Sequence, residues 1–163
     1  MDLDSKAQQV AAALAQTGEQ LVLAESCTAG IIAATLAQVP GASRWLAGSM
    51  VVYQEATKSA WLGVDQETLE QVTAVSAPVA HQMVCGALQQ TPHATFAAAV
   101  TGHLGPNSPA ELDGVVFIAT CRRGGSPAIH CIELTKSKRQ GRQREAAVLT
   151  LERVMDAIAR DAH

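Results

Sequence analysis

Four groups of residues in this chain have types and spacings that suit chemistry. The first lies in Leu21-Val22-Leu23-Ala24-Glu25-Ser26-Cys27-Thr28-Ala29-Gly30-Ile31-Ile32. An apolar run enters this stretch, small polar residues interrupt it, and an Ala-rich apolar segment leaves it. That is the pattern of a buried strand feeding a helix. It puts Ser26 and Thr28 where the first helical N–H groups are unpaired and the peptide dipoles align behind them, a place that attracts anions. A hydroxyl held there is placed to attack a carbonyl or to bind a phosphate, and either residue serves equally as a helix cap. Cys27, between them, stands out because a helix N-terminus lowers a thiol's pKa.

The second group is Tyr53 and Lys58. A lysine whose pKa is lowered by burial can act as the base that activates a serine. The plainer readings are a solvated surface lysine and a core tyrosine with a satisfied hydroxyl. The third is Thr101-Gly102-His103-Leu104-Gly105, where Gly102 and Gly105 permit a backbone that approaches a ligand closely. The fourth is the cationic cluster Lys136, Lys138, Arg139, Arg142 and Arg144. With a helix beginning near Gln140, these cations occupy its positive end, which disfavours them. A bound phosphate or carboxylate explains that placement, and so does a solvated basic edge. His81, His93, His103 and His130 lack metal-ligand spacing, so no metal is expected.

The elements that must position these groups follow from periodicity and breakers. Leu3, Ala7, Val10 and Leu14 predict a first helix, with Asp4 as its cap and Gly18 closing it. A strand is expected over 20–24, a helix over 28–38 ended by Val39-Pro40-Gly41, and a strand over 46–53. Short helices follow over 54–62 and 66–71. Ser76 caps a long helix over 77–90 with Pro78 in its first turn. The small apolar run 94–101 reads as a strand covered on both faces. Strands near 114–121 and 127–134, joined at Arg123-Gly124-Gly125-Ser126, form an antiparallel hairpin. Ala147, Leu151, Val154 and Ile158 line one face of a last helix over 140–160. Early strand–helix alternation with a late hairpin gives the α/β class: a three-layer α/β/α sandwich with a mixed, mostly parallel sheet. In such a sheet, ligands gather at the carboxyl ends of the parallel strands, where the first three groups converge.

Composition narrows the function. Residues 1–163 suit one domain. Apolar residues make up 48% of the chain and aromatics 3%, so Ala, Val and Leu must build the core. A net charge of −3 argues against nucleic acid as a partner. No apolar run approaches a membrane span, and the start is acidic where a signal peptide is basic, which points to the cytoplasm. Cys27, Cys85, Cys121 and Cys131 form no CxxC pair and read as small apolar fillers.

Several short motifs in combination resemble one family. Ala24 to Gly30 is similar to AESCTGG, and Val39-Pro40-Gly41-Ala42-Ser43 to VPGSS. Val52-Tyr53 through Lys58 to Leu62-Gly63-Val64 keeps the spacing of TYSNEAK…LGV. Ala74-Val75-Ser76, then Thr101-Gly102 with Gly105-Pro106, follow AVSE and TGIAGP. The chain thus resembles, over nearly its whole length, the CinA C-terminal domain family, which includes nicotinamide-nucleotide amidohydrolases. The resemblance implies hydrolysis of the carboxamide of nicotinamide mononucleotide to nicotinate mononucleotide and ammonia, with no metal or organic cofactor. It implies Ser26 as nucleophile with Lys58 and Tyr53 activating it. Thr28, Ala29 and Gly30, whose turn supplies oxyanion donors, would bind substrate with Thr101, Gly102 and Gly105, and Arg139 and Arg144 would hold the phosphate. It also implies a homo-oligomer. The chain departs from the family at Ala29, at Glu55-Ala56-Thr57 in place of Asn-Glu-Ala, at His103-Leu104, and in a shorter loop Asn107–Asp113. Those departures raise an alternative: a paralogue that binds a nucleotide-like ligand without turnover.

Overall fold

A computed structural model describes residues 2–160, so the part of the expected 1–163 domain at Met1 and 161–163 lies outside the described residues. The elements run α1 (Leu3–Thr17), β1 (Leu21–Glu25), α2 (Ile31–Ala37), β2 (Leu46–Val51), α3 (Glu55–Leu62) and α4 (Gln66–Val72). They continue with α5 (Ala77–Gln90), β3 (Phe96–Gly102), β4 (Val115–Arg122), β5 (Ala128–Glu133) and α6 (Arg139–Arg160). The five strands form one mixed sheet in the order β2-β1-β3-β4-β5. β2, β1 and β3 are parallel, while β3, β4 and β5 are antiparallel.

Strand alternation divides the core into two layers, because successive side chains point to opposite faces. Leu21, Leu23, Phe96, Ala98, Val100, Val116 and Ile118 pack under α1, α2 and α6. Val22, Ala24, Ala97, Ala99, Ala119 and Cys121 pack under α5, with Leu62 of α3 and Leu69 of α4. Ala24, Ala97, Ala99 and Ala119 keep the middle of this second face small, and α5 packs over it. The result is the expected α/β/α sandwich. Among the described residues, no helix is long and apolar enough to cross a membrane.

Two local expectations are corrected. The cap of α1 is Asp2, whose Oδ1 accepts from Ser5 N at 2.8 Å, and not Asp4. Buried Leu3 already belongs to the core face, so the helix must begin before Asp4. Likewise α2 starts at Ile31 rather than 28. Ala29 (φ 51°) and Gly30 (φ 93°) are left-handed, so residues 26–30 form a turn before the helix. Ser76 caps α5 as expected, accepting from Val79 N.

Candidate active site

The turn after β1 is built on a residue that the sequence did not mark. Glu25 ends β1 fully buried. Its Oε2 accepts from Thr28 Oγ1 at 2.8 Å, Gly30 N at 3.0 Å and Ile32 N at 3.2 Å. Its Oε1 accepts from Ala33 N at 3.0 Å and Ser49 Oγ at 2.9 Å. The orphan N–H groups of the α2 N-terminus are therefore taken by a carboxylate from the preceding strand. The expected capping by Ser26 or Thr28 gives way to this arrangement: Gly30 occupies the cap position and Thr28 donates to Glu25.

Ser26 is thereby free for other work. Its backbone N–H donates to Val100 O of β3, and its Oγ lies 2.8 Å from Lys58 Nζ. Lys58, on the inner face of α3, is only 1% exposed, so the solvated-surface reading of this lysine does not hold. Its Nζ also reaches Val52 O at 2.9 Å and Tyr53 O at 3.3 Å. Burial lowers the Lys58 pKa from the usual 10.5, opposed by the Cys27 and Glu55 charges. Burial also pushes the Cys27 thiol up to about 12, which outweighs the helix N-terminus and corrects the expectation of an activated cysteine. The neutral amine has two N–H donors and one lone pair. Nζ donates to Ser26 Oγ and to the two carbonyls, and once it has given up a proton its lone pair is within reach of the Ser26 hydroxyl.

These groups open onto a cleft of about 240 Å³, lined among others by Ser26, Cys27, Lys58, Thr101, His103 and Arg139. Thr101 Oγ1 donates to Ala74 O at 2.8 Å, tying the end of β3 to the segment before α5. At the mouth, Arg139 donates to Gly105 O and to the Tyr53 hydroxyl, each at 2.6 Å. Tyr53 is thus 52% exposed, with its hydroxyl on Arg139 and only its backbone carbonyl on Lys58. Arg142 threads behind the cleft wall. It holds both Asp113 carboxylate oxygens, at 2.8 and 3.0 Å, and donates to Leu104 O and Lys136 O. A Cβ at Gly105 or Gly114 would come within 3.0 Å of its guanidinium. This bidentate pair draws Asp113 below the usual carboxylate range.

The sequence profile of the CinA C-terminal domain matches residues 3–158. The chain belongs to the CinA C-terminal domain family. It is 39% identical over 133 residues to a CinA-like protein of Mycolicibacterium vanbaalenii, covering 80% of this chain and 31% of that protein. It is 38% identical to a CinA-like protein of Mycobacterium tuberculosis over 134 residues, 81% of this chain and 31% of the relative. The chain therefore spans about a third of the length of these curated relatives. Among solved structures, it resembles the competence/damage inducible protein CihA from Agrobacterium tumefaciens at a TM-score of 0.91 and 34% identity, over 98% of this chain and 96% of that one. The competence damage-inducible protein A of Klebsiella pneumoniae matches at a TM-score of 0.91 and 27% identity, over 98% of each chain.

Within this CinA-family fold, Ser26, Lys58, Tyr53, Thr101, Gly102, Gly105 and Arg139 all line one cleft. Thr28, Ala29, Gly30 and Arg144 do not. Thr28 is buried against Glu25, Ala29 and Gly30 shape the turn, and Arg144 is exposed on α6. The cationic cluster also separates: Arg142 is neutralised by Asp113, and only Arg139 reaches the mouth. Sequence reasoning placed Arg142 in the cationic cluster without its Asp113 partner, and it missed Glu25 and Gln143, whose Nε2 donates to Cys27 O and Thr28 O at 3.3 and 3.4 Å. The one signal available for Glu25 was an acid at the end of a buried strand, where a charge must find partners.

Proposed function

We propose that this chain is an amidohydrolase that deamidates nicotinamide mononucleotide or a close relative, using Ser26 as nucleophile and Lys58 as base. The observation that carries the reading is the 2.8 Å approach of Lys58 Nζ to Ser26 Oγ inside the cleft. Lys58 takes the hydroxyl proton as Oγ attacks the carboxamide carbon, giving a tetrahedral intermediate. The N–H of Cys27, a residue that lines the cleft, has no acceptor among the described residues and receives the oxyanion. Lys58 then passes its proton to the leaving nitrogen, and ammonia departs. Water, deprotonated by the same amine, attacks the acyl-serine and releases the carboxylate product and Ser26. Arg139 at the mouth offers a cation to an anionic group on the substrate, and Tyr53 steadies that cation.

Glu55 works against the lowering of the Lys58 pKa by its charge, but it does not turn the amine away from Ser26. Glu55 and Ala56 are exposed on the outer side of α3, and Lys58 points to Ser26 and two carbonyls. The test is ammonia release from nicotinamide mononucleotide by the wild type, Ser26→Ala and Lys58→Ala. Release that both variants abolish, with folding retained, supports the reading. A folded wild type that releases none removes it and leaves a ligand-binding paralogue.

A further inference from the structure

The geometry points to Glu25 as a positioning residue, whose buried carboxylate fixes the turn that carries Ser26 and the Cys27 N–H assigned to the oxyanion. This rests on the serine-hydrolase reading above. Five neutral donors meet this carboxylate. Helix capping accounts for only part of that set, since an ordinary cap satisfies one or two N–H groups. Thr28 Oγ1 comes from inside the turn and Ser49 Oγ from β2, 24 residues away. One side chain thus fastens the end of β1, the turn, the start of α2 and the neighbouring strand.

Ser26 is the next residue along the chain, so its direction follows from how Glu25 is held. From the opposite side, Gln143 of α6 grips the carbonyls of Cys27 and Thr28. In a trans peptide, the C=O and N–H point in opposite directions. Holding Cys27 O against α6 therefore aims Thr28 N–H away from α6. Ser26 O is taken by Ala29 N inside the turn, which aims Cys27 N–H outward. The Cys27 N–H assigned to the oxyanion is thus set within a turn that Glu25 holds from one side and Gln143 from the other.

Glu25→Gln tests this with little change of volume. A glutamine replaces one acceptor oxygen with an NH₂ that faces N–H and hydroxyl donors. The measurements on the whole chain are the rate of Ser26 labelling by a fluorophosphonate, located by mass spectrometry with Ser26→Ala as blank, together with kcat and KM for ammonia release and the thermal midpoint. Ser49→Ala, which removes one donor from β2, serves should Glu25→Gln not fold. Displacement of a reacting group by about 1 Å costs ~100-fold. Labelling and kcat should therefore fall together by about 30- to 100-fold in Glu25→Gln and by about threefold in Ser49→Ala, with KM within about twofold of wild type. Variants that melt lower but keep wild-type labelling and kcat overturn the proposal and make Glu25 a helix cap only. A folded wild type that is not labelled overturns the nucleophile assignment, and the positioning role falls with it.

Discussion

The amine of Lys58 stands 2.8 Å from the hydroxyl of Ser26, and neither residue is more than 7% exposed. The pair joins two distant segments: Ser26 follows the interior strand β1, and Lys58 sits on the inner face of α3. Lysine is rarely so buried without a carboxylate. Here its partners are carbonyls and a hydroxyl, which are acceptors that suit a neutral amine as well as a charged one. Burial favours the neutral form, and that form can accept a proton from serine.

This gives a signed prediction for stability against pH. The Lys58 pKa is lower in the folded chain than the ordinary 10.5, so the unfolded chain binds more protons between the two values. Stability should rise with pH up to about 10.5 and be lowest below the folded value. Lys58→Met should remove that rise and melt higher than wild type at neutral pH. Thermal midpoints of both proteins across the alkaline range check this, and parallel curves would refute it. If the wild type releases ammonia, its kcat/KM should climb with pH along the same limb.

Much of the scaffold was legible in the sequence because small apolar runs and glycine or proline breakers mark it directly. The strand 94–101, the hairpin around Arg123-Gly124-Gly125-Ser126 and the Ser76 cap of α5 are all local signals. Ser26, Lys58 and Arg139 were found from strand ends and family motifs. The supports behind them were not legible, because each depends on residues remote in the chain. Glu25 meets Ser49 across 24 residues, Tyr53 meets Arg139 across 86, and Arg142 meets Asp113 across 29. No periodicity encodes such meetings. The start of α2 was misplaced for a similar reason: a carboxylate from the strand, not a hydroxyl in the turn, satisfies its first N–H groups.

Tyr53→Phe separates two roles for that residue. In this structure its hydroxyl serves Arg139 and not the Ser26–Lys58 pair. Loss of the bond should free Arg139 and raise KM for an anionic amide about three- to tenfold, with kcat little changed, as one charge-assisted hydrogen bond predicts. If kcat instead drops by about two orders of magnitude while KM holds, the hydroxyl belongs to the chemical step.

Arg142→Ala should loosen the wall of the cleft. The guanidinium is the common partner of Leu104 O, Asp113 and Lys136 O, and its loss leaves the 103–114 segment without that hub. Faster proteolytic cutting within 103–114 and a raised KM are expected, with Ser26 still labelled by an acylating probe. Asp113→Asn should show the same changes in weaker form, since it removes the ion pair but leaves the contacts to carbonyls. An unchanged cleavage pattern in both variants would argue that the wall stands without the clamp.

Gly86→Ala sets helix propensity against packing. Gly86 lies in the interior of α5, where alanine ordinarily stabilises a helix by about 0.5–1 kcal/mol. At this position, however, a Cβ would stand 2.1 Å from Leu62 O and 2.9 Å from Leu62 C, the backbone at the end of α3. A backbone carbonyl cannot swing aside as a side chain does, so α3 must shift as a whole. Overpacking of this kind costs about 1–3 kcal/mol, which exceeds the gain in propensity, so the variant should unfold at lower denaturant. The displaced helix also carries Lys58, so kcat should fall even under conditions where the variant is fully folded. A Gly86→Ala protein as stable and as active as wild type would mean that α3 and α5 do not meet this closely.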